Sequence, residues 1–288
     1  MAFKTDDPNM LNEWLVVGPM HFLVGTSEQS PKTTTLLGCE ITLWRAGDGS
    51  AVHGRCGRDD LLVDVRYHYV WVCPSGKPSR ELFAFPEYDE PGRRIVDCGG
   101  IGVHVSGLRI IENFLDMAHF PYVHTDYLGK VPHTEVADYK VEVEATTGEI
   151  WATDCRFWQP RTSASANEGM EAQYKYRVMQ PFSAMLYKSC VAYADRLDAL
   201  GLFVQPVDET RSIAYCLIVY FDDETSDTDL IAFQHTIFGQ DKPILENHLL
   251  KRIPLEGRLE AATRADMTAV TYRKSLRDRG MRFGVHPR

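Results

Sequence analysis

The chain has 288 residues, 44% hydrophobic and 25% charged, with a formal charge of −9. That is the composition of a soluble globular protein with room for one large core or two modest ones, and its acidity excludes a nucleic-acid binder. No apolar run approaches the roughly 18–20 residues of a membrane span, residues 1–10 lack a signal-peptide core, and seven scattered cysteines without a C-x-x-C pair point to reduced thiols in a cytoplasmic protein.

Residues 36–44 are β-branched and apolar, Gly47-Asp48-Gly49 is a turn signal, and residues 63–72 alternate until Pro74-Ser75-Gly76. Residues 77–108, rich in Pro and Gly, read as a connector with little regular structure. A helix is expected from about Leu108 to His119, because Pro121 disfavours helix in the residue before it. It would place Asn113, Asp116 and His119 on one face, with His119 in the last turn and His124 in the bend beyond. Runs at 139–145, 149–158, 172–179, 185–193, 201–207 and 212–221 predict an antiparallel meander. Asp227 opens a helix as N-cap, with Leu230, Phe233, Ile237, Ile244 and Leu245 on its apolar face. Residues 259–276 read as a second amphipathic helix with basic residues toward its end.

Two neutral imidazoles with an acid beside them make a metal-ligand pattern. Chance places an H-x4-H in roughly one of three such chains, but the added Asn and Asp lower this to on the order of one in a thousand. A facial triad of two His and one carboxylate leaves positions on iron open for oxygen and substrate. The third ligand is expected in Gln240-Asp241-Lys242-Pro243-Ile244-Leu245-Glu246, where Asp241 is flanked by apolar residues and would need a partner if it faced the sheet. Asp241 could instead be a first-turn helix acid after a break at Gly239, and His235 and Glu246 are fallback ligands on the same helix. His133 and His248 read as ordinary residues. The H-E-x-x-H pattern of zinc hydrolysis is absent, as is the compact His-x-Asp of 2-oxoglutarate oxygenases.

The series Asn113-x-x-Asp116-x-x-His119-x4-His124, followed late by Gln240-Asp241-Lys242-Pro243, resembles the catalytic domain of Rieske non-heme iron oxygenases over about residues 100–280. The resemblance implies an α+β chain with a helix-grip catalytic domain, an antiparallel sheet wrapped on a long carboxyl-terminal helix. It implies mononuclear Fe(II) held by His119, His124 and Asp241. It also gives Asp116 the role of orienting a ligand histidine and bridging to the electron donor, with Asn113 near the iron.

The amino-terminal part departs from that family, whose C-x-H and C-x-x-H hold a [2Fe–2S] cluster. The flanking runs Leu37-Gly38-Cys39-Glu40-Ile41-Thr42-Leu43-Trp44-Arg45 and Arg66-Tyr67-His68-Tyr69-Val70-Trp71-Val72 survive. Between them, Cys56-Gly57-Arg58 stands where C-x-H belongs, and the C-x-x-H segment is missing; His53 and His68 have no cysteine pair to join. Residues 1–100 are therefore expected to be a truncated Rieske-like β domain without a cluster, and residues 101–288 the mononuclear iron domain.

Among family members, the bacterial N-demethylases of methylxanthine and caffeine breakdown look most similar, in particular their N7-demethylating component, which lacks a Rieske centre. That resemblance implies O2-dependent conversion of a methylxanthine, 7-methylxanthine to xanthine, with release of formaldehyde. It implies electrons from a partner reductase carrying NADH, flavin and a Rieske cluster, a glutathione-S-transferase-like scaffold subunit, and assembly as a homotrimer or hetero-oligomer. Phe157, Gln173, Tyr187 and Gln205 are candidates for a purine-sized pocket, with nothing in the sequence to choose among them. The competing readings are a Rieske-type O-demethylase or hydroxylase of another aromatic substrate, and a non-catalytic helix-grip subunit that binds a small ligand.

Overall fold

The computed structural model describes residues 2–166, 168–256 and 259–287. A short helix α1 (Pro8–Leu11) leads into β1 (Leu15–Pro19), and six further strands follow before residue 74: β2 (Lys32–Leu36), β3 (Cys39–Arg45), β4 (Val52–Cys56), β5 (Asp59–Asp60), β6 (Leu62–Arg66) and β7 (Tyr69–Cys73). They form two small antiparallel sheets, ordered β2-β3-β4-β5 and β1-β7-β6.

Three expectations for this half are corrected. The run 63–72 is two strands, because Tyr67 and His68 both adopt left-handed backbone, with φ 55° and 66°, and close a two-residue hairpin. The run 36–44 is likewise broken by a turn at Leu37-Gly38. Cys39 and Cys56, apart in sequence but on the adjacent strands β3 and β4, are joined as a disulfide, so the expectation of seven reduced thiols fails for these two. The other five cysteines are free.

The larger sheet has seven antiparallel strands in the order β8-β14-β13-β12-β11-β10-β9. These are β8 (Arg94–Val103), β9 (Lys140–Val143), β10 (Ile150–Gln159), β11 (Met170–Gln180), β12 (Ser183–Ser189), β13 (Leu197–Pro206) and β14 (Ser212–Tyr220). The six expected meander strands are present. β8 corrects the connector expected over residues 77–108 from their Pro and Gly content: Arg94–Val103 pairs along most of β14 and straddles residue 100.

Alternation along the strands divides the sheet into two faces. Met185, Tyr187, Phe203, Tyr215 and Leu217 pack against Val16, Tyr69, Trp71, Phe83 and Phe85 from the first half. The opposite face meets three helices, α2 (Gly107–Leu115), α4 (Asp227–Glu246) and α5 (Met267–Asp278). Leu230 of α4 packs on Val96, Leu200, Ile218 and Tyr220, and Tyr272 of α5 donates to the Pro181 carbonyl at 2.7 Å. Backbone bonds from Leu37 and Gly38 to the carbonyls of Pro206 and Val207 tie the first half to the end of β13.

The chain is thus mixed, with antiparallel sheets and few helices. The long helix is α4, with 20 residues, whereas the carboxyl-terminal α5 has 12; a long carboxyl-terminal helix was expected, and this too is corrected. α4 is capped by Ser226, whose side chain accepts from the Asp229 amide, rather than by Asp227. It runs unbroken through Gly239 and Pro243, although the proline has no N–H to give the helix. Among the described residues no helix is long and apolar enough to cross a membrane.

Candidate metal centre

Ser106 caps α2, its side chain accepting from the Leu108 amide. The helix is anchored by the buried Arg109, which bonds Glu112 at 3.0 Å, the Leu250 carbonyl at 3.2 Å and Glu260. It ends at Leu115, four residues earlier than expected, so Asn113, Asp116 and His119 do not share one helical face. The cause is Asp116 itself. Its Oδ1 accepts from the Ala118 amide at 2.7 Å, a local bond that competes with the helix.

A four-residue helix α3 (Phe120–Val123) follows, with His119 as its N-cap and His124 as its C-cap. Pro121 is tolerated there because the first-turn N–H groups have no helical partner in any case. The next loop folds back so tightly that a Cβ on Gly129 would come within 2.6 Å of the Pro121 nitrogen, which accounts for the glycine. The turn brings the two imidazoles edge to face, with their Nε2 atoms 3.1 Å apart. From α4, Asp241 Oδ1 reaches 3.1 Å from His124 Nε2 and 3.4 Å from His119 Nε2. Among the described residues this is the one His/Cys/Asp/Glu grouping, its atoms within 4.8 Å of one another, that could hold a metal ion.

The hydrogen bonds behind the rings decide what this cluster can hold. His119 Nδ1 lies 2.9 Å from Asp116 Oδ2, and His124 Nδ1 lies 2.8 Å from Gln240 Oε1. Both partners are acceptors, so each Nδ1 carries a proton and each neutral ring turns its Nε2 lone pair inward. Asp241 Oδ1 is buried there and accepts no hydrogen bond. Three lone pairs converging on one point repel each other unless a positive charge lies between them.

The electrostatics agree. Burial penalises charge at His119, but the hydrogen bond to Asp116 and the attraction of the Asp116 and Asp241 carboxylates outweigh it and lift its pKa to about 9. Burial likewise opposes ionisation of Asp241, and the two imidazoles overcome it and hold the carboxyl at about 2. At Asp116 burial is again the opposing effect, outweighed by His119 and the Ala118 amide, so its pKa is lowered. A proton on His119 or a metal ion would each supply the required charge, and a metal must displace the proton. Two imidazoles and one carboxylate, with the remaining directions open, fit mononuclear iron(II).

The fallback ligands lie elsewhere. His235 Nε2 is 2.7 Å from the Cys98 carbonyl, and Glu246 bonds Lys242 at 2.8 Å and the His104 amide at 2.9 Å. Asp241, in the middle of an unbroken helix, is not a first-turn acid. An apolar cavity opens from the triad, walled by Phe114, Phe120, Tyr174, Tyr176, Phe233 and Phe238. None of Phe157, Gln173, Tyr187 and Gln205 is among its lining residues. Phe157 packs behind Phe120, Gln173 lines an outer groove, Tyr187 faces the first half of the chain, and Gln205 donates to Thr34 and Thr35. Asn113 lines both this cavity and an outer cleft that also exposes Asp116, Glu112, His248 and Arg273.

Residues 103–280 match the family model described as the vanillate O-demethylase oxygenase C-terminal domain. The chain belongs to this oxygenase family. Among its relatives is the probable methylxanthine N7-demethylase NdmC of Pseudomonas sp. (strain TJI-51), 47% identical over 277 residues, 96% of this chain and 96% of that protein. The methylxanthine N1-demethylase NdmA of Pseudomonas putida is 26% identical over 80% of this chain, which spans 63% of that longer protein. The structure of Pseudomonas putida CBB5 NdmA with caffeine superposes with TM-score 0.76 at 19% identity, covering 93% of this chain and 90% of that one. Dicamba monooxygenase bound to dicamba gives 0.73 at 16% identity, covering 94% and 97%. At these identities the structural matches speak for the fold alone.

Gln240 is the part of the centre that sequence reasoning passed over. It stood beside Asp241 in the quoted run, but its reach to His124 depends on how α4 meets α3. Gln240→Leu should keep the fold and weaken iron(II) binding about 10–100-fold, read by titration against a competing chelator. Unchanged affinity would show that His124 needs no orienting partner.

Proposed function

We propose that this chain is an O2-dependent N-demethylase of a methylxanthine, with 7-methylxanthine converted to xanthine and formaldehyde. The observation that carries this reading is 47% identity along nearly the whole of both chains to a probable methylxanthine N7-demethylase. In it His119, His124 and Asp241 hold iron, and Asp116 and Asn113 serve the reaction around it. Bound there, iron(II) supplies the oxygen activation that hydroxylates the N-methyl carbon, whose carbinolamine then releases formaldehyde.

The chain's own residues do the rest. Asp116 and Gln240 fix the imidazole tautomers, and the aromatic walls accept a flat heterocycle and exclude water. Burial pushes the Tyr174, Tyr176 and Tyr220 phenols well above their usual range, so these walls stay neutral. Asp116 has its carboxyl at the outer cleft and its Oδ2 on His119, which suits it to link an external electron donor to the centre.

In this reading the helix-grip unit begins with β8, and the two small sheets before it are a Rieske-domain remnant. Supporting this, the hairpin ends where cluster ligands would stand carry Cys56-Gly57-Arg58 and Tyr67-His68. Cys56 is tied to Cys39, His53 stacks on Trp44, and His68 Nδ1 lies 2.7 Å from the Tyr88 hydroxyl. The two electrons would then come from a reductase carrying NADH, flavin and a Rieske cluster, docked at the cleft beside Asp116. A scaffold subunit and a trimeric or hetero-oligomeric assembly belong to the same proposal.

Purified chain should bind about one iron and no acid-labile sulfide, and with such a reductase should release formaldehyde from 7-methylxanthine in preference to aryl methyl ethers. Formaldehyde from vanillate-type ethers instead would make it an O-demethylase. A chain that cannot be loaded with iron would be a binding subunit.

A further inference from the structure

Strand β12 carries one residue out of keeping with its neighbours. Ser183, Ala184, Met185, Leu186, Tyr187 and Ser189 suit a buried strand, yet between the last two stands Lys188, only 5% exposed. Its Nζ donates to the Thr162 carbonyl at 2.6 Å and lies 4.9 Å from the Tyr220 ring centre. Asp198, its register partner on β13, accepts from the Phe221 amide at 2.9 Å through Oδ1; its charge attracts the ammonium without forming a close ion pair that would take up the remaining donors. An ammonium has three donors, and a buried one left partly unpartnered is costly; burial accordingly pulls the Lys188 pKa down.

Lys188, Thr162 and Tyr220 line the same cavity as His119, His124 and Asp241, and Lys188 is the one lysine or arginine among the described lining residues. A charge kept for stability would be a poor choice here, since an apolar side chain of similar volume commonly serves a buried site as well or better. An acceptor entering the cavity would make use of it.

We infer that Lys188 is the substrate-recognising donor of this cavity, taking a ring oxo group of the planar heterocycle whose methyl group is presented to the triad. The inference rests on the N-demethylase reading and deepens it, because it makes an oxo-bearing ring the preferred substrate class. A site built to donate to such an oxygen discriminates strongly against the ring that lacks it.

The test is equilibrium dialysis of the full-length chain, as wild type, Lys188→Met and Lys188→Arg, against 7-methylxanthine and against 7-methylpurine, which has no oxo group. Wild type should prefer 7-methylxanthine. Lys188→Met should bind it at least about 10-fold more weakly, as expected for a lost hydrogen bond to a charged donor, with 7-methylpurine unchanged. Lys188→Arg should keep the preference, and the Met variant should melt no lower than wild type. Equal weakening of both ligands, unaltered binding of 7-methylxanthine, or a Met variant that fails to fold would each make Lys188 structural and overturn the inference. A wild-type chain that binds neither ligand would overturn the N-demethylase reading itself, and so both.

Discussion

Asp241→Ala should give a folded chain that holds no iron and releases no formaldehyde. Alanine is the best helix former, so α4 survives the change. The carboxylate removed is buried with one oxygen accepting no hydrogen bond, so the fold loses little by its removal. The proposed centre loses its one anionic ligand, and two neutral imidazoles alone hold iron(II) poorly. Chemistry that depends on the metal for several kcal/mol of transition-state stabilisation then slows by about 10³-fold or more. Iron per chain, measured colorimetrically after acid release, and formaldehyde in the same sample check both halves. Retention of wild-type iron in this variant would move the third ligand away from Asp241.

Asp116→Asn separates metal binding from turnover. The amide is nearly the shape of the carboxylate, and with its one oxygen turned to accept from His119 Nδ1, at the cost of the Ala118 amide bond, iron should remain at about one per chain. The variant removes the negative charge that His119 and the Ala118 amide stabilise at this position, and with it the proposed link between the outer cleft and the centre. Turnover with a Rieske-bearing reductase present should fall by about 100-fold. Wild-type turnover would reduce Asp116 to a structural cap. Loss of iron together with turnover would make it an orienting residue with no part in electron entry.

The three proposed ligands were legible because few residue types can hold a metal, and His119, His124 and Asp241 combine them at a telling spacing. The meander was legible because each run between residues 138 and 221 is bounded by turn residues, the mark of consecutive antiparallel strands. What escaped was decided by local backbone competition or by packing. Pro121 looked like the helix breaker, but Asp116 ends α2 first by capturing the Ala118 amide. Tyr67 and His68 adopt a left-handed turn that their side chains do not advertise. β8 reads as a connector until β14 is there to pair with it. Gln240 and Lys188 matter through what they meet in space, and no spacing in the chain announces that.

The chain is proposed to be the oxygen-activating half of an oxygenase whose electron-donating cluster lies on another protein. The most direct measurement is formaldehyde release from 7-methylxanthine by the iron-loaded chain, with NADH and either a Rieske-bearing reductase or the same reductase stripped of its Rieske cluster. Formaldehyde and xanthine should appear in equal amounts with the intact reductase, and neither should appear with the stripped one. Equal turnover with both would contradict the proposal.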